Sequence, residues 1–235
     1  MRSFLGFEVR RSLSSPVNLV FLAGFPVLLY LLWTKVLDLA SGPVSMVSMA
    51  TYGAMGGALF IGGAIAMERA SGWLRQLAVT PLPAHGYIVA KLVAGMLAVL
   101  PSVVIVLAAG ALLGGVRLPA GTWLVLPLLI WIGVAPFAAL GVAFGYSFRG
   151  QSANIVTMVV FFLLAVLGGL WLPVSRMPEG LRVVAEHSPA YQAGSLGWRA
   201  LDGLPPTGTS VLVLVAWTAL FVVLGVWRYR RTAWR

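Results

Sequence analysis

Six apolar stretches, each close to the length that crosses a lipid bilayer, constrain this chain more than any other feature. A hydrocarbon core about 30 Å thick needs about 20 residues of helix, and residues 17–36, 46–67, 88–114, 123–146, 155–172 and 210–229 all meet that requirement. They predict an all-α integral membrane fold with six transmembrane helices. Composition agrees, since 60% of the 235 residues are hydrophobic and 9% are charged, against about 25% charged in a soluble domain. So few charges cannot coat a soluble globule, and the apolar surplus has to face lipid. The first stretch follows Arg10 and Arg11 like a secretory signal, and Leu39-Ala40-Ser41 could pass for a cleavage site. Its length exceeds the apolar core of about 7–15 residues that a signal carries, so an uncleaved first span is the better reading.

The segments between the stretches carry turn chemistry: Ser41-Gly42-Pro43, Pro81-Leu82-Pro83, Pro119-Ala120-Gly121, Arg149-Gly150-Gln151 and Gly203-Leu204-Pro205-Pro206 each interrupt a helix where a loop is needed. Charge then sets orientation. With the N-terminus inside, eleven of the sixteen Lys and Arg residues fall on the cytoplasmic side, including Arg10, Arg11, Arg69, Arg75, Lys91 and Arg228. The five others share the outer side with four of the six carboxylates, Asp38, Glu179, Glu186 and Asp202. This asymmetry satisfies the positive-inside rule and places both termini in the cytoplasm of a cell-membrane protein. It also explains the net charge of +10 without a nucleic-acid partner.

Within residues 1–16, Met1, Leu5, Val9 and Leu13 recur every four residues, which suits a helix lying in the headgroup region; a short disordered tail fits equally well. Pro26, Pro101, Pro127 and Pro136 fall inside spans and are expected to kink them. Gly53/Gly57, Gly110/Gly114 and Gly141/Gly145 stand four apart, a spacing that lets helices approach closely.

Several chemistries are missing. The lysines Lys35 and Lys91 follow no glycine-rich phosphate-binding loop, so ATP hydrolysis by that route is excluded. All six carboxylates fall in tails, loops or span ends, which disfavours an ion-coupled carrier. His85 and His187 are assigned to opposite faces, so no catalytic constellation forms. There is no cysteine, hence no disulfide and no thiolate nucleophile, and no metal site is expected. Gln151 and Asn154 read as interfacial or packing residues, and neither is given a role.

The segment 68–83 between the second and third stretches, Glu-Arg-Ala-Ser-Gly-Trp-Leu-Arg-Gln-Leu-Ala-Val-Thr-Pro-Leu-Pro, is amphipathic. Trp73, Leu74 and Leu77 share one helical face, Arg75 and Gln76 point elsewhere, and Thr80-Pro81 ends the helix. On pattern alone it could rest on headgroups or dock a partner. It resembles the coupling helix of type-2 ABC exporter permeases, which has an acidic-basic pair (here Glu68-Arg69), a Gly-x-Leu step (Gly72-Trp73-Leu74) and a Thr-Pro ending (Thr80-Pro81). A second similarity lies between the fifth and sixth stretches, where Gly169, Leu172, Pro173, Met177, Pro178 and Leu181 match that family's glycine, proline, proline signature.

The resemblance covers the chain as a single permease domain, 1–235. It implies an interfacial helix at 1–16, a coupling helix at 68–83 that fits a groove of the ATPase, and an extracellular gating region at 173–208 with short re-entrant helices. It further implies two permease copies, identical or not, working with two separate ATPase subunits, since 235 residues leave no room for a fused one. The chain itself would carry no cofactor, MgATP belonging to the partner. Export of a hydrophobic or amphipathic drug, natural product, lipid or peptide through a cleft lined by the first, second and fifth spans follows, as in multidrug efflux. An ATP-independent carrier or channel, or a membrane immunity or scaffold protein, are the alternatives. In the outer region Leu181, Val184 and Ala185 are expected to face apolar surroundings, with Glu179, Arg182 and Glu186 paired on the wet side.

Overall fold

A computed structural model describes residues 6, 23–37, 41–72 and 84–233. Among them every regular element is a helix. Helix α1 spans Phe25–Leu31 and continues as a π-helical turn, Leu32–Val36. Then come α2 (Gly42–Leu59), α3 (Ile61–Ala70), α4 (Ala84–Leu112), α5 (Ala120–Gly133), α6 (Ala135–Ser147) and α7 (Gln151–Leu167). After a 3-10 turn at Val174–Arg176 follow α8 (Glu179–Glu186), α9 (Pro189–Leu201) and α10 (Gly208–Ala233). The expected interfacial helix at 1–16 and the chain from Trp73 to Pro83 lie outside the described residues.

Two pairs of helices run nearly end to end. The chain turns at Phe60 between α2 and α3, and at Val134 between α5 and α6. The second break has a local cause, because Pro136 sits in the first turn of α6, the position where a missing N–H costs nothing. Pro101 and Pro127, by contrast, remain inside continuous helices. With these pairs joined, four stretches among the described residues are long and apolar enough to cross a membrane: Gly42–Ala70, Gly86–Leu112, Ala120–Ser147 and Gly208–Arg231. Phe25–Val36 and Gln151–Leu167 are apolar but shorter. The last of these starts and ends a few residues before the expected 155–172, because Gly169, at φ +73°, turns the chain out of the helix.

The α2–α3 rod is the centre of the bundle and is buried almost all round, while α10 is exposed along most of its length. On the periphery large apolar side chains point outward, Leu112 at 82% and Leu124 at 79% exposure. An apolar exterior around a buried core is the pattern of a protein whose solvent is lipid. This is a multi-pass membrane protein.

Without a hydrophobic drive between helices in lipid, close backbone approach supplies the packing. Helix α6 meets α3 through glycines: a Cβ on Gly62 would strike the carbonyl of Gly141, and one on Gly145 would lie 2.8 Å from the carbonyl oxygen of Gly62. Gly110 and Gly114 of the α4 end receive Met46 and the Tyr30 hydroxyl. Two of the three predicted glycine pairs thus sit at helix contacts. The third, Gly53/Gly57, lines a cavity, as described next.

Candidate functional site

Gly53, Gly56 and Gly57 of α2 and Gly63 of α3 form one wall of a cavity of about 660 Å³. Phe25 and Pro26 of α1, Gly95 and Ala98 of α4, and Asn154, Met158, Phe161 and Phe162 of α7 complete the lining together with Tyr52, Phe60 and Met67. Tyr52 and Phe161 stack at 4.5 Å between ring centroids, and Phe60 meets the edge of Phe161 at 5.9 Å. Among the described lining residues none is charged, and Asn154 supplies an amide. Its Oδ1 closes against Gly63, and its Nδ2 lies 3.5 Å from Gln151 Oε1. Met67 and Met158, which also line the cavity, are about half exposed. An uncharged, aromatic-walled recess of this size suits an apolar ligand with a hydrogen-bonding group. Periodicity gave no sign of it, because the glycines read as packing residues and Asn154 as an interfacial one.

At one end of the bundle α3 terminates in Glu68, Arg69 and Gly72. Glu68 is 7% exposed. Its Oε1 accepts a 2.6 Å hydrogen bond from Lys91 Nζ, and its Oε2 a 2.6 Å bond from the Tyr87 hydroxyl. Tyr87 and Lys91 stand four apart in the first turns of α4 and so share a face. Burying two ions costs several kcal/mol each, and the loss returns only when both are paired and hydrogen-bonded, as they are here. Arg69 reaches the other way: Nη1 donates to the Gly145 carbonyl at 2.6 Å, and the guanidinium lies 5.1 Å over the Tyr146 ring. Gly145 is in the last turn of α6, where carbonyls lack helical partners and a cation is favoured by the helix dipole. Tyr146 in turn meets the Tyr229 ring of α10 edge-on at 5.3 Å. The helix stops just beyond, with the Ser71 hydroxyl bonded to the Glu68 carbonyl and Gly72 at φ +76°, a conformation that favours glycine. Trp73, Leu74, Arg75, Leu77, Thr80 and Pro81 lie outside the described residues.

The opposite end is aromatic. Trp171 packs on Trp33 at 6.0 Å, on Tyr52 at 5.6 Å and on Phe162 at 5.5 Å, while Trp198 donates from Nε1 to Ser48 Oγ at 3.0 Å. Gly169 sits at the turn, Leu172 is 38% exposed, Pro173 precedes the 3-10 turn, Met177 follows it, and Pro178 caps α8, which holds Leu181. Arg182 Nε and Glu186 Oε1 pair at 2.8 Å in the open, and that hydrogen bond raises the Arg182 guanidinium above its ordinary range. Of the α8 residues expected to face apolar surroundings, Ala185 is fully buried against protein, and Leu181 and Val184 lie on the outer surface of the helix. A smaller cavity of about 260 Å³ opens here between Trp33, Ser45, Trp171, Tyr191 and Trp198.

Deeply packed apolar helices, an uncharged internal recess and charges gathered at the helix ends define the membrane-embedded part of a transporter. Residues 36–227 match the family described as ABC-2 family transporter protein, and the chain belongs to that family. A relative in Bacillus subtilis (strain 168), YvfS, provisionally named a transport permease, is 28% identical over 231 residues, which cover 95% of this chain and 94% of YvfS. The chain is the membrane subunit of a transporter, and its family assigns it no enzymatic role.

Proposed function

We propose that the chain is the permease of an ATP-driven exporter, moving a hydrophobic or amphipathic substrate out of the cell. In this reading the four long helices and the two shorter apolar ones make six spans, with both termini and the Glu68 end in the cytoplasm. The positive-inside asymmetry supports that orientation. A separate ATPase, present in two copies, engages the segment 68–83, and a second permease copy completes the transporter. The observation that carries the reading is the coincidence of family membership with a cavity whose described lining, mainly on the first, second and fifth spans with Gly95 and Ala98 of the third, carries no charged residue. Such a cavity holds an apolar cargo and gives a coupling ion no carboxylate to bind. The short helices α8 and α9 with the Gly169–Leu181 turn form the outer gate.

Purifying the tagged permease from its native host tests this. A stoichiometric ATP-binding partner is expected, and transport should stop when that partner's ATP site is disabled. Transport reconstituted from the permease alone would instead establish a carrier or channel. Protection that survives loss of the partner's ATP site would establish a scaffold or immunity protein.

A further inference from the structure

The Glu68-Arg69 pair resembles a docking element, yet its side chains are turned into the bundle. Neighbouring positions on a helix diverge by about 100°, so the two side chains grip different partners. Glu68 holds α4 through Tyr87 and Lys91, with both carboxylate oxygens engaged. Arg69 holds α6 through the Gly145 carbonyl and the Tyr146 ring, and Tyr146 carries the contact on to α10. Two consecutive residues therefore join the ends of four helices, and the chain leaves α3 within three residues of them, at Gly72.

We propose that Glu68 and Arg69 are positioning residues that fasten the end of α3 to α4, α6 and α10, so that a push on the chain leaving α3 displaces the bundle as a body instead of bending one helix. Within the segment 68–83 these two residues fasten, and contact with the ATPase falls to the residues after Gly72, which narrows the reading above. This rests on the exporter reading above. A buried carboxylate 2.6 Å from both an ammonium and a phenol offers no face to an external groove, and an arginine spent on a helix-terminal carbonyl is held in place by geometry that a lysine cannot reproduce. A fastening made of charges has a further property: in a protein interior an ion pair tolerates little separation before its attraction falls below the cost of desolvation. The joint therefore moves as a unit or breaks.

The test measures transmission and needs no known substrate. The chain has no cysteine, so Ser175→Cys, exposed at the far end, provides a single site for a maleimide probe. In the purified permease–ATPase complex, MgATP with vanadate is expected to change the labelling rate by about fivefold or more. Glu68→Gln, which keeps shape and hydrogen-bonding capacity but removes the charge that faces Lys91, should lower the folded yield; per folded complex, ATPase co-purification should be unchanged while the nucleotide response disappears and hydrolysis persists. Glu68→Lys and Lys91→Glu should each abolish the response, and the two together should restore at least half of it. Arg69→Lys should weaken it.

A response retained in Glu68→Gln, or lost only in proportion to folded protein, would overturn the positioning role. So would failure of the charge-swapped pair to recover, which is the outcome expected if Glu68 contacted the ATPase. An otherwise wild-type complex with no nucleotide response would overturn the exporter reading, and the proposal with it.

Discussion

At one end of the bundle Glu68 and Lys91 lie 2.6 Å apart and buried; at the other, Arg182 and Glu186 lie 2.8 Å apart in the open. The distances are nearly equal and the consequences are opposite. The exposed pair is an i,i+4 contact within one short helix, lying on the surface where solvent screens it. The buried pair crosses from α3 to α4 and is completed by Tyr87, in surroundings where either ion alone would be costly. Around Arg182 the structure is instead held by Trp33, Trp171 and Trp198, whose broad rings pack on aromatic neighbours, with Trp198 also donating to Ser48. The comparison teaches that one end is held by buried, directional polar contacts and the other by aromatic packing, which fixes no single geometry.

The comparison can be broken most decisively at Glu68. Glu68→Ala removes the carboxylate that pairs with Lys91, and a stability loss of about 3–5 kcal/mol is expected from removing one partner of a buried pair. Thermal unfolding in detergent reads it, and Glu68→Leu combined with Lys91→Met should recover most of the loss. Next in size is Gly62→Val, which drives a side chain into the Gly141 carbonyl and should cost about 1–3 kcal/mol through overpacking, lowering the yield of folded protein. Trp171→Leu removes the ring contacts with Trp33, Tyr52 and Phe162, each worth about 0.5–1.5 kcal/mol beyond burial. A Trp171→Phe variant should retain part of that stability. Smallest is Arg182→Gln, for which no change in melting temperature is expected. A destabilisation there as large as at Glu68 would erase the distinction between the ends.

Much of the fold could be read from the chain before its coordinates. Membrane class follows from apolar runs and scarce charge, since lipid accepts little else. Pro136 announced a break, and Gly141/Gly145 announced a close helix contact. Other features depended on which residues meet in space. Lys91 read as one more interior-side charge, and nothing local distinguishes it from a solvated lysine. The signal available was joint: an acid at the end of one apolar run, and a Tyr-x-x-x-Lys face opening the next. The cavity was hidden for a related reason. Glycines spaced by four fit a helix contact and a hollow equally well, and only the placement of Phe161 and Asn154 opposite Gly53 and Gly63 decides between them.

The separation of the ends across the membrane is the claim on which the exporter reading stands, and the absence of native cysteine makes it directly measurable. Ser71→Cys and Ser175→Cys, both exposed, are to be treated in intact cells with a membrane-impermeant maleimide. Labelling of Ser175→Cys without permeabilisation, and of Ser71→Cys only after it, is the expected result. Labelling of Ser71→Cys in intact cells would put the Glu68 joint outside, beyond the reach of any ATPase, and would contradict the reading.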